Sequence, residues 1–230
     1  MRSVPGRILI TAATETEMKC MANIPGIGKH DGYMVYNGCR IERLVTGVGS
    51  VSMVWSMMNW LKSNPAPDIC INIGIAGSFN PKYTIGDIII PVSDNFADLG
   101  FEMGDSIKTV WESGLLDPDS FPFKKGELFC SSELLMMVNT LFPTVKGVTV
   151  NTVSGTHPTI ARIRSKFEPD IETMEGAAFY YVCRLEKIPS IALRAISNIV
   201  EPRNRESWNI DLALENLSSG ATKVLSKITS

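Results

Sequence analysis

Short apolar runs alternate with longer amphipathic segments along most of the chain. Runs of strand length occupy residues 7–12, 69–75 and 88–92, and each is followed by glycine or polar residues. Uninterrupted apolar runs of this length are typical of strands that are buried on both faces. Between the first two runs, residues 51–61 carry apolar side chains at helical spacing, which predicts a helix whose apolar positions are Val51, Val54, Trp55, Met58 and Leu61.

Strands that alternate with helices predict an α/β fold with three layers, in which helices cover a largely buried sheet. The sequence shows no repeat and no domain boundary, so we expect residues 1–230 to form a single domain. Residues 96–127 are irregular and contain glycine, proline, Trp111 and several phenylalanines. A segment of this length without regular structure is more typical of a functional or interface loop than of a spacer.

The clearest candidate site lies in residues 171–200, which predict a strand, a nearly all-apolar helix, a turn at Pro189 and a second strand. Glu175 stands at the first strand-to-helix joint, and Asn198 stands where the second apolar run ends. Ligands of open α/β sheets bind at the carboxyl ends of strands. We therefore expect both polar side chains to face one crevice.

Glu17 is a further candidate, because Thr14 and Glu17 form a capping-box pattern directly after the first strand. Glu17 either complements the dipole of a surface helix or holds and deprotonates a water molecule over the crevice. Asn198 has two interpretations as well. It either caps a turn or offers an amide donor and acceptor to the edge of a heterocycle.

Glycine-rich turns are predicted after three strands, at Gly47/Gly49, Gly74/Gly77 and Gly155. Backbone N–H groups at such turns can bind anions, although glycine also makes turns without any ligand. The spacing differs from the dinucleotide-binding fingerprint, and no Walker lysine follows. An enzyme with a nucleotide cofactor is therefore disfavoured, and we predict no cofactor.

The composition of the chain argues against several classes of binding partner. The net charge of −2 and the absence of basic clusters argue against nucleic acid. Apolar runs are too short for a membrane helix, and the first ten residues lack the apolar core of a signal peptide. Five cysteines without a CxxC pair fit the reducing cytoplasm. His30 and His157 have no neighbouring ligand set, so we expect no metal site.

Six segments in order resemble the purine nucleoside phosphorylase/nucleosidase superfamily. They are ILITAATETEM, TGVGSVSM, NIGIAGSF, IGDIIIPVSD, TMEGAAFYYVC and IPSIALRAISN. The resemblance covers residues 7–200. It implies a single α/β domain with a large mixed central sheet flanked by helices, and a homodimer or higher oligomer.

Within this superfamily, the loop after the first strand points to hydrolysis. Hexameric phosphorylases have a phosphate-binding arginine there, whereas this chain has Glu15 and Glu17, which would repel phosphate but suit a water nucleophile. The loop resembles that of the methylthioadenosine/S-adenosylhomocysteine nucleosidases. By this resemblance Glu17 is the catalytic base, Glu175 binds the ribose hydroxyls and Met174 lies beneath the sugar. Ala76 and Gly77, at a strand end, also belong to the predicted substrate site.

Asn198 departs from those adenine-specific nucleosidases, which have aspartate at this position. An amide is not a general acid, but its NH2 group can donate to N7 or to a 6-oxo group, which suits hypoxanthine. The segment SNIVEPRNRESW resembles the futalosine hydrolase family, which releases hypoxanthine from futalosine in an alternative menaquinone route. Futalosine carries an aryl carboxylate on its 5′ side. Candidate ligands for that side, from the same chain or from across a dimer interface, are Arg203, Arg205, Phe96, Phe101 and the 96–127 segment.

Three alternatives stay open from the sequence alone. An adenine nucleosidase would act on methylthioadenosine, and a 6-oxopurine nucleoside phosphorylase would require phosphate. A member of the fold without enzymatic activity would only bind or store a nucleoside. The presence of both Glu17 and Glu175 argues against this last alternative.

Overall fold

Strands and helices alternate over residues 132–228, whereas strands follow one another directly over residues 28–45 and 69–129. The structure, a computed structural model, describes residues 5–104 and 106–230. The strands in these residues are β1 (Arg7–Ala12), β2 (Gly28–His30), β3 (Tyr33–Tyr36), β4 (Cys39–Val45), β5 (Ile69–Ser78), β6 (Ile88–Asp94), β7 (Gly100–Met103), β8 (Ser106–Thr109), β9 (Leu128–Phe129), β10 (Thr144–Thr149), β11 (Ile171–Thr173) and β12 (Ser190–Ile199). The α-helices are α1 (Glu15–Met18), α2 (Ser50–Ser63), α3 (Ser132–Val138), α4 (His157–Phe167), α5 (Gly176–Leu185) and α6 (Ile210–Ile228).

A large mixed sheet organises these elements. Its strand order is β11-β10-β6-β12-β5-β1-β4-β3-β2, with β9 beside β6. Strands β12, β5, β1 and β4 run parallel, whereas β6 is antiparallel to β12. Strand β11 pairs with β10 and also with the end of β5, so five strands close into a ring. The carboxyl ends of the parallel strands gather at one edge, where ligands of such sheets bind.

Alternation along the central strands supplies both sides of the sheet with apolar side chains. On β1, Ile8 and Ile10 pack with α6, whereas Leu9 packs on the opposite face with α5. Phe179 and Tyr180 of α5 are fully buried. These layers confirm the predicted α/β architecture with a large mixed sheet flanked by helices.

The predicted apolar face of α2 is partly wrong. Met53 and Met57 are its fully buried residues, whereas Val51 is 81% exposed and Trp55 is 66% exposed. Val54, Met58 and Leu61 are only partly buried against the core. The helix packs against α5 through the methionines, so the stripe that the spacing indicates is split between core and surface.

Three further segments differ from the sequence predictions. The 96–127 segment contains the hairpin β7–β8. The last apolar positions of the chain approximate one face and predict a final helix, namely Trp208, Leu212, Leu217, Ala221, Val224 and Leu225. Helix α6 begins at Ile210, so Trp208 precedes it. Gly74 and Gly77 lie within strand β5 and make no turn. In the part of the chain that the structure describes, no helix has the length and apolar character needed to span a bilayer.

Candidate active site

A cavity of about 190 Å³ opens at the carboxyl ends of β1, β5, β11 and β12. Six of the eight residues predicted for the site line it, namely Glu17, Ala76, Gly77, Met174, Glu175 and Asn198. Val48, which is 53% exposed, also lines the cavity and leaves its rim open to solvent. The topology therefore brings together predicted site residues that are up to 181 positions apart in the sequence (17 to 198).

Glu17 is held at the cavity by donors on two elements. Its Oε2 atom accepts hydrogen bonds from the Thr14 backbone N–H (3.0 Å) and from the Thr14 hydroxyl (2.9 Å), which completes the predicted capping box. Its Oε1 atom accepts from the backbone N–H of Ile75 on β5 (3.2 Å). The residue is only 9% exposed. Donors to both oxygens fix the direction of the carboxylate.

Gly74 makes this position of Glu17 possible. A Cβ atom at Gly74 would lie 2.9 Å from Oε1 of Glu17 and 3.8 Å from Cζ of Arg194. Arg194 is the register neighbour of Gly74 on β12 and is 2% exposed. The missing side chain thus leaves a space that the Glu17 carboxylate and the Arg194 guanidinium both border.

Glu175 lies across the cavity at the start of α5. Its Oε1 atom accepts a hydrogen bond from the backbone N–H of Gly49 (2.8 Å). The predicted glycine turn before α2 therefore serves a carboxylate of the same chain. Burial raises the pKa of Glu175 above its ordinary value, while the Gly49 hydrogen bond and the charge of Arg194 act in the opposite direction and the charge of Glu17 adds to the increase.

Asn198 reaches the cavity through an irregularity in β12. The register between β12 and β5 shifts between Ile196 and Asn198, as at a β-bulge, and Asn198 then pairs with Gly77. Bulges next to active sites redirect side chains in this way. The Ser197 hydroxyl donates to Oδ1 of Asn198 (2.9 Å), and Nδ2 donates to the Ile199 carbonyl (3.1 Å).

A buried charge cluster lies beneath the site. Arg194 donates to the backbone carbonyls of Asn72 and Leu193 (both 3.0 Å) and to the Asn72 side-chain oxygen. Asp94 is 1% exposed, and its Oδ1 accepts from the Thr149 hydroxyl (2.9 Å). Its Oδ2 has no hydrogen-bond partner among the described residues, and burial raises the pKa of Asp94 to about 7.

Two predicted site residues do not line the cavity. Phe96 packs edge-on against Tyr181 with ring centroids 6.5 Å apart, because it continues β6 in extended form beside Thr149 and its side chain points to the α5 layer. It does not line the cavity of its own chain, and its predicted contact with the substrate, within one chain or across a dimer interface, stays a prediction. Arg203 lies outside, with its guanidinium 5.2 Å from the centroid of the Trp208 ring, and it is Trp208 that lines the cavity.

Sequence reasoning missed Trp208 and Glu172 as cavity residues. Glu172 is 4% exposed on β11, where both of its oxygens accept from Ser154. The sequence does contain a signal for Glu172, because this carboxylate stands between Ile171 and Thr173 in a run that predicts a buried strand. Charged residues are rarely buried in a strand unless a partner binds them. Trp208 carried no such signal, because an aromatic residue near an amphipathic helix is usually assigned to its apolar face.

No cluster of three or more His, Cys, Asp or Glu side chains suited to a metal ion occurs among residues 5–104 and 106–230. A larger groove of about 690 Å³ lies elsewhere, beside Phe79 and Arg164. Its polar groups already bind one another, as Asn80 donates to Asp170 (2.7 Å) and Arg164 donates to the Phe79 carbonyl (3.2 Å). The chemistry therefore concentrates in the smaller cavity.

This fold and this arrangement of carboxylates at the strand ends define a class of protein. The sequence profile of the phosphorylase superfamily matches residues 7–229, and the chain belongs to that superfamily.

Three individual proteins show what this chain resembles in sequence or in structure. A futalosine hydrolase from Streptomyces coelicolor is 28% identical over 158 residues, which cover 68% of this chain and 65% of that protein, so the match spans just under two thirds of the relative's length. The structure of futalosine hydrolase from Helicobacter pylori strain 26695 superposes with a TM-score of 0.76 at 18% identity and covers 96% of each chain. A 5′-methylthioadenosine/S-adenosylhomocysteine nucleosidase from Colwellia psychrerythraea 34H, in complex with adenine, gives a TM-score of 0.78 at 18% identity, covering 97% of this chain and 96% of that one. At such identities the structural likeness establishes the fold.

Proposed function

We propose that this protein is a nucleosidase that hydrolyses the N-glycosidic bond of futalosine and releases hypoxanthine. The observation that carries the proposal is the meeting of Glu17, Glu175 and Asn198 around one cavity. The futalosine hydrolases among its relatives support this choice of substrate. The reaction would belong to the alternative route to menaquinone, and the five buried free cysteines are consistent with the cytoplasm.

The reaction divides among the three residues. As the bond between C1′ and the base nitrogen lengthens, its electron pair moves to the base and the sugar becomes oxocarbenium-like. Glu175 accepts hydrogen bonds from the ribose hydroxyls and stabilises that positive charge. The Glu17 carboxylate takes a proton from water while the water oxygen forms a bond to C1′. The departing base gains one proton, so one water is consumed for each base released.

Water is the nucleophile that the charge pattern favours. None of the described residues lining the cavity is lysine or arginine, and two of them are Glu17 and Glu175. Arg194, whose guanidinium borders the space beside Glu17, is committed to Asn72 and Leu193. A phosphate dianion beside Glu17 would meet carboxylates and no cation among the residues that line the cavity, whereas a water molecule can donate to Glu17.

Asn198 supports hypoxanthine as the leaving base. An amide nitrogen carries two N–H donors, of which one is used on the Ile199 carbonyl. The Ser197 hydroxyl at Oδ1 holds the amide so that Nδ2 is turned toward Gly77. A donor in this position matches N7 or the 6-oxo group of hypoxanthine, and it would stabilise negative charge on the departing base.

For the 5′ side we propose Arg203 as the partner of the aryl carboxylate. Arg203 is exposed and lies over Trp208, whose ring borders the cavity. An arginine held on an aromatic face keeps its N–H donors free for a carboxylate. The hydroxyl-bearing sugar would then lie over Met174, and the 5′ substituent would extend toward Trp208.

We further propose a homodimer. Val48, Val51 and Trp55 form an exposed apolar stripe that begins at the cavity rim and continues along α2. A second copy packed on this stripe would cover apolar surface and narrow the open side of the cavity. Sedimentation or light scattering measures the mass in solution, and Trp55→Glu should yield a monomer; a wild-type monomer would overturn this part of the proposal.

The central test is incubation with futalosine or methylthioadenosine, each with and without phosphate, followed by chromatography of the released base. We expect hypoxanthine from futalosine without any need for phosphate. Preferential release of adenine from methylthioadenosine would overturn the choice of substrate. Strict dependence on phosphate would overturn hydrolysis, and the absence of any released base would overturn the enzymatic function.

A further inference from the structure

The cavity contains a carboxylate that the proposed reaction does not use. Glu172 lines the cavity together with Asn198 and is 4% exposed. Its two oxygens accept from the backbone N–H of Ser154 (2.9 Å) and from the Ser154 hydroxyl. No ion pair to Glu172 occurs within the described residues. A carboxylate buried without a cation is costly to keep, which calls for an explanation.

Strand register places Glu172 opposite Asn198. Gly77 on β5 is the register partner of Glu172 on β11 and also of Asn198 on β12. Residues directly opposite one another in neighbouring strands present their side chains to the same face. The Glu172 carboxylate and the Asn198 amide therefore rise from that face on either side of Gly77.

Gly77 keeps the space between them empty. A Cβ atom there would lie 3.0 Å from Nδ2 of Asn198 and 2.9 Å from Cγ2 of Val200. Two strand spacings of about 4.8 Å separate the backbones of β11 and β12 at this level. The result is a slot with a backbone floor, an acceptor on one wall and a donor on the other.

Glu172 retains acceptor capacity toward the slot. Each carboxylate oxygen can accept two hydrogen bonds, and Ser154 occupies one site on each. Burial raises the pKa of Glu172, whereas both Ser154 hydrogen bonds lower it. Two donors from one residue thus hold the acceptor in place.

We propose that Glu172 determines base specificity by accepting a hydrogen bond from N1–H of a 6-oxopurine, while Asn198 donates to the other edge of the same base. This inference rests on the proposed function, because it assumes that a purine leaves from this cavity. A 6-oxopurine has a hydrogen on N1 and an acceptor at position 6. Adenine has a lone pair on N1 and a donor at position 6, so its N1 would face a carboxylate. A buried polar edge that is mispaired in this way lowers kcat/KM for the mismatched base by about 10²–10⁵-fold.

A purely structural role, in which Glu172 only fastens Ser154, makes a different prediction. In Glu172→Gln the amide oxygen still accepts from the Ser154 N–H, and the amide nitrogen can meet the Ser154 hydroxyl. The hydrogen bonds to Ser154 are kept. The side chain presented to the base changes from one that only accepts hydrogen bonds to one that accepts and donates them. A structural role therefore predicts an unchanged ratio between bases.

The test compares kcat/KM for futalosine, its 6-amino analogue and its N1-methyl derivative. For wild type we expect futalosine to exceed the 6-amino analogue by at least about 100-fold. Glu172→Gln should reduce that ratio by about 10- to 100-fold, mainly through a higher KM for futalosine. Glu42→Gln is the matched control, since Glu42 is also buried (6% exposed) but pairs with Arg7 and Arg40 outside the cavity, and it should leave the ratio unchanged.

The N1-methyl derivative tests the same hydrogen bond in wild type without any mutation. We expect it to react at least about 10-fold more slowly than futalosine, with a smaller loss in Glu172→Gln. Equal rates for both in wild type, or an unchanged base ratio in Glu172→Gln, would overturn the role of Glu172 while futalosine hydrolysis stands. Wild-type preference for the 6-amino analogue, or no release of hypoxanthine, would overturn the proposed function together with this inference.

Discussion

The two halves of the cavity hold their polar groups by different means. In one half, backbone N–H groups of Thr14, Ile75 and Gly49 bind the carboxylates of Glu17 and Glu175. In the other half, the Ser154 hydroxyl and N–H bind Glu172, and the Ser197 hydroxyl binds Asn198. Main-chain donors predominate in the first half, where the Thr14 hydroxyl is a further donor. In the second half a serine hydroxyl donates to each polar group, beside one main-chain partner for each.

This difference suggests a division of labour. Backbone donors stay in place when neighbouring side chains change, because the sheet and the turns position them. Side-chain donors and acceptors can be exchanged by a single substitution, which alters the pattern presented to a ligand. We therefore expect the first half to set the rate of hydrolysis and the second half to select the base. The following predictions test this division, from the largest expected effect on activity to the smallest.

Glu17→Gln should lower kcat for futalosine by about 10³-fold with KM changed by only a few fold, because the amide cannot take a proton from water. Steady-state kinetics measure the effect. Glu15→Gln is the matched control, since Glu15 is exposed in the same turn, and it should retain wild-type kinetics. A fully active Glu17→Gln enzyme would remove Glu17 from the chemistry.

Asn198→Asp should shift the preference between futalosine and its 6-amino analogue by about 100-fold toward the amino form, because a carboxylate accepts where the amide donates. The ratio of kcat/KM values measures the shift. Asn209→Asp, at the N-cap of α6, exchanges the same groups outside the cavity and should leave the ratio alone. An unshifted ratio in Asn198→Asp would contradict the assignment of base selection to this half.

Gly74→Ala and Gly77→Ala serve as controls for each other. A methyl group at Gly74 would displace the Glu17 carboxylate, so we expect kcat to fall by about 10²-fold. A methyl group at Gly77 would enter the slot beside Asn198, so we expect KM to rise by about 10-fold with a smaller effect on kcat. If both variants changed the same kinetic constant, the separation of the two halves would be disproved.

The pH dependence of kcat/KM should report Glu175. Burial raises the pKa of Glu175 above its usual value of 4.5, so its carboxylate becomes protonated at a higher pH than a free glutamate. We expect activity to fall on the acid side starting above pH 4.5, and Glu175→Gln to have low activity without that acid limb. A pH profile from about 4 to about 9 that kept the same limb in the variant would assign it to another group.

Asp94→Asn should affect stability more than activity, since Asp94 is buried and is not among the residues that line the cavity. Its pKa is raised from 3.8 to about 7, so the folded state binds the proton more tightly than the unfolded state. This contribution to stability is present at low pH and is lost as pH rises toward about 7, by up to about 1.4 kcal/mol per pH unit. Melting temperatures between about pH 4 and about pH 8 should decline less steeply in the variant, with base preference unchanged; an identical slope would contradict the raised pKa.

Local patterns in the sequence were sufficient for the elements and for three site residues. Apolar runs predict the central strands, and the Thr14–Glu17 capping box forms as the spacing indicates. Glu17, Glu175 and Asn198 each lie just after or near the end of a strand that the pattern identifies. Parallel strands of one sheet end at a common edge, so their meeting follows once the α/β class is known.

Register between distant strands was decided only by the tertiary structure. The pairing of β11 with the end of β5 brings Glu172 to Gly77, and the irregularity in β12 brings Asn198 to the same glycine. A separate bridge to Thr149 goes with the position of Phe96 away from the cavity, and the length of β5 makes Gly74 and Gly77 strand positions. Each depends on hydrogen bonds between segments that are distant in the sequence, and a shift of one residue would reverse the face of every side chain. Hydrophobic spacing along one segment carries no information about that alignment.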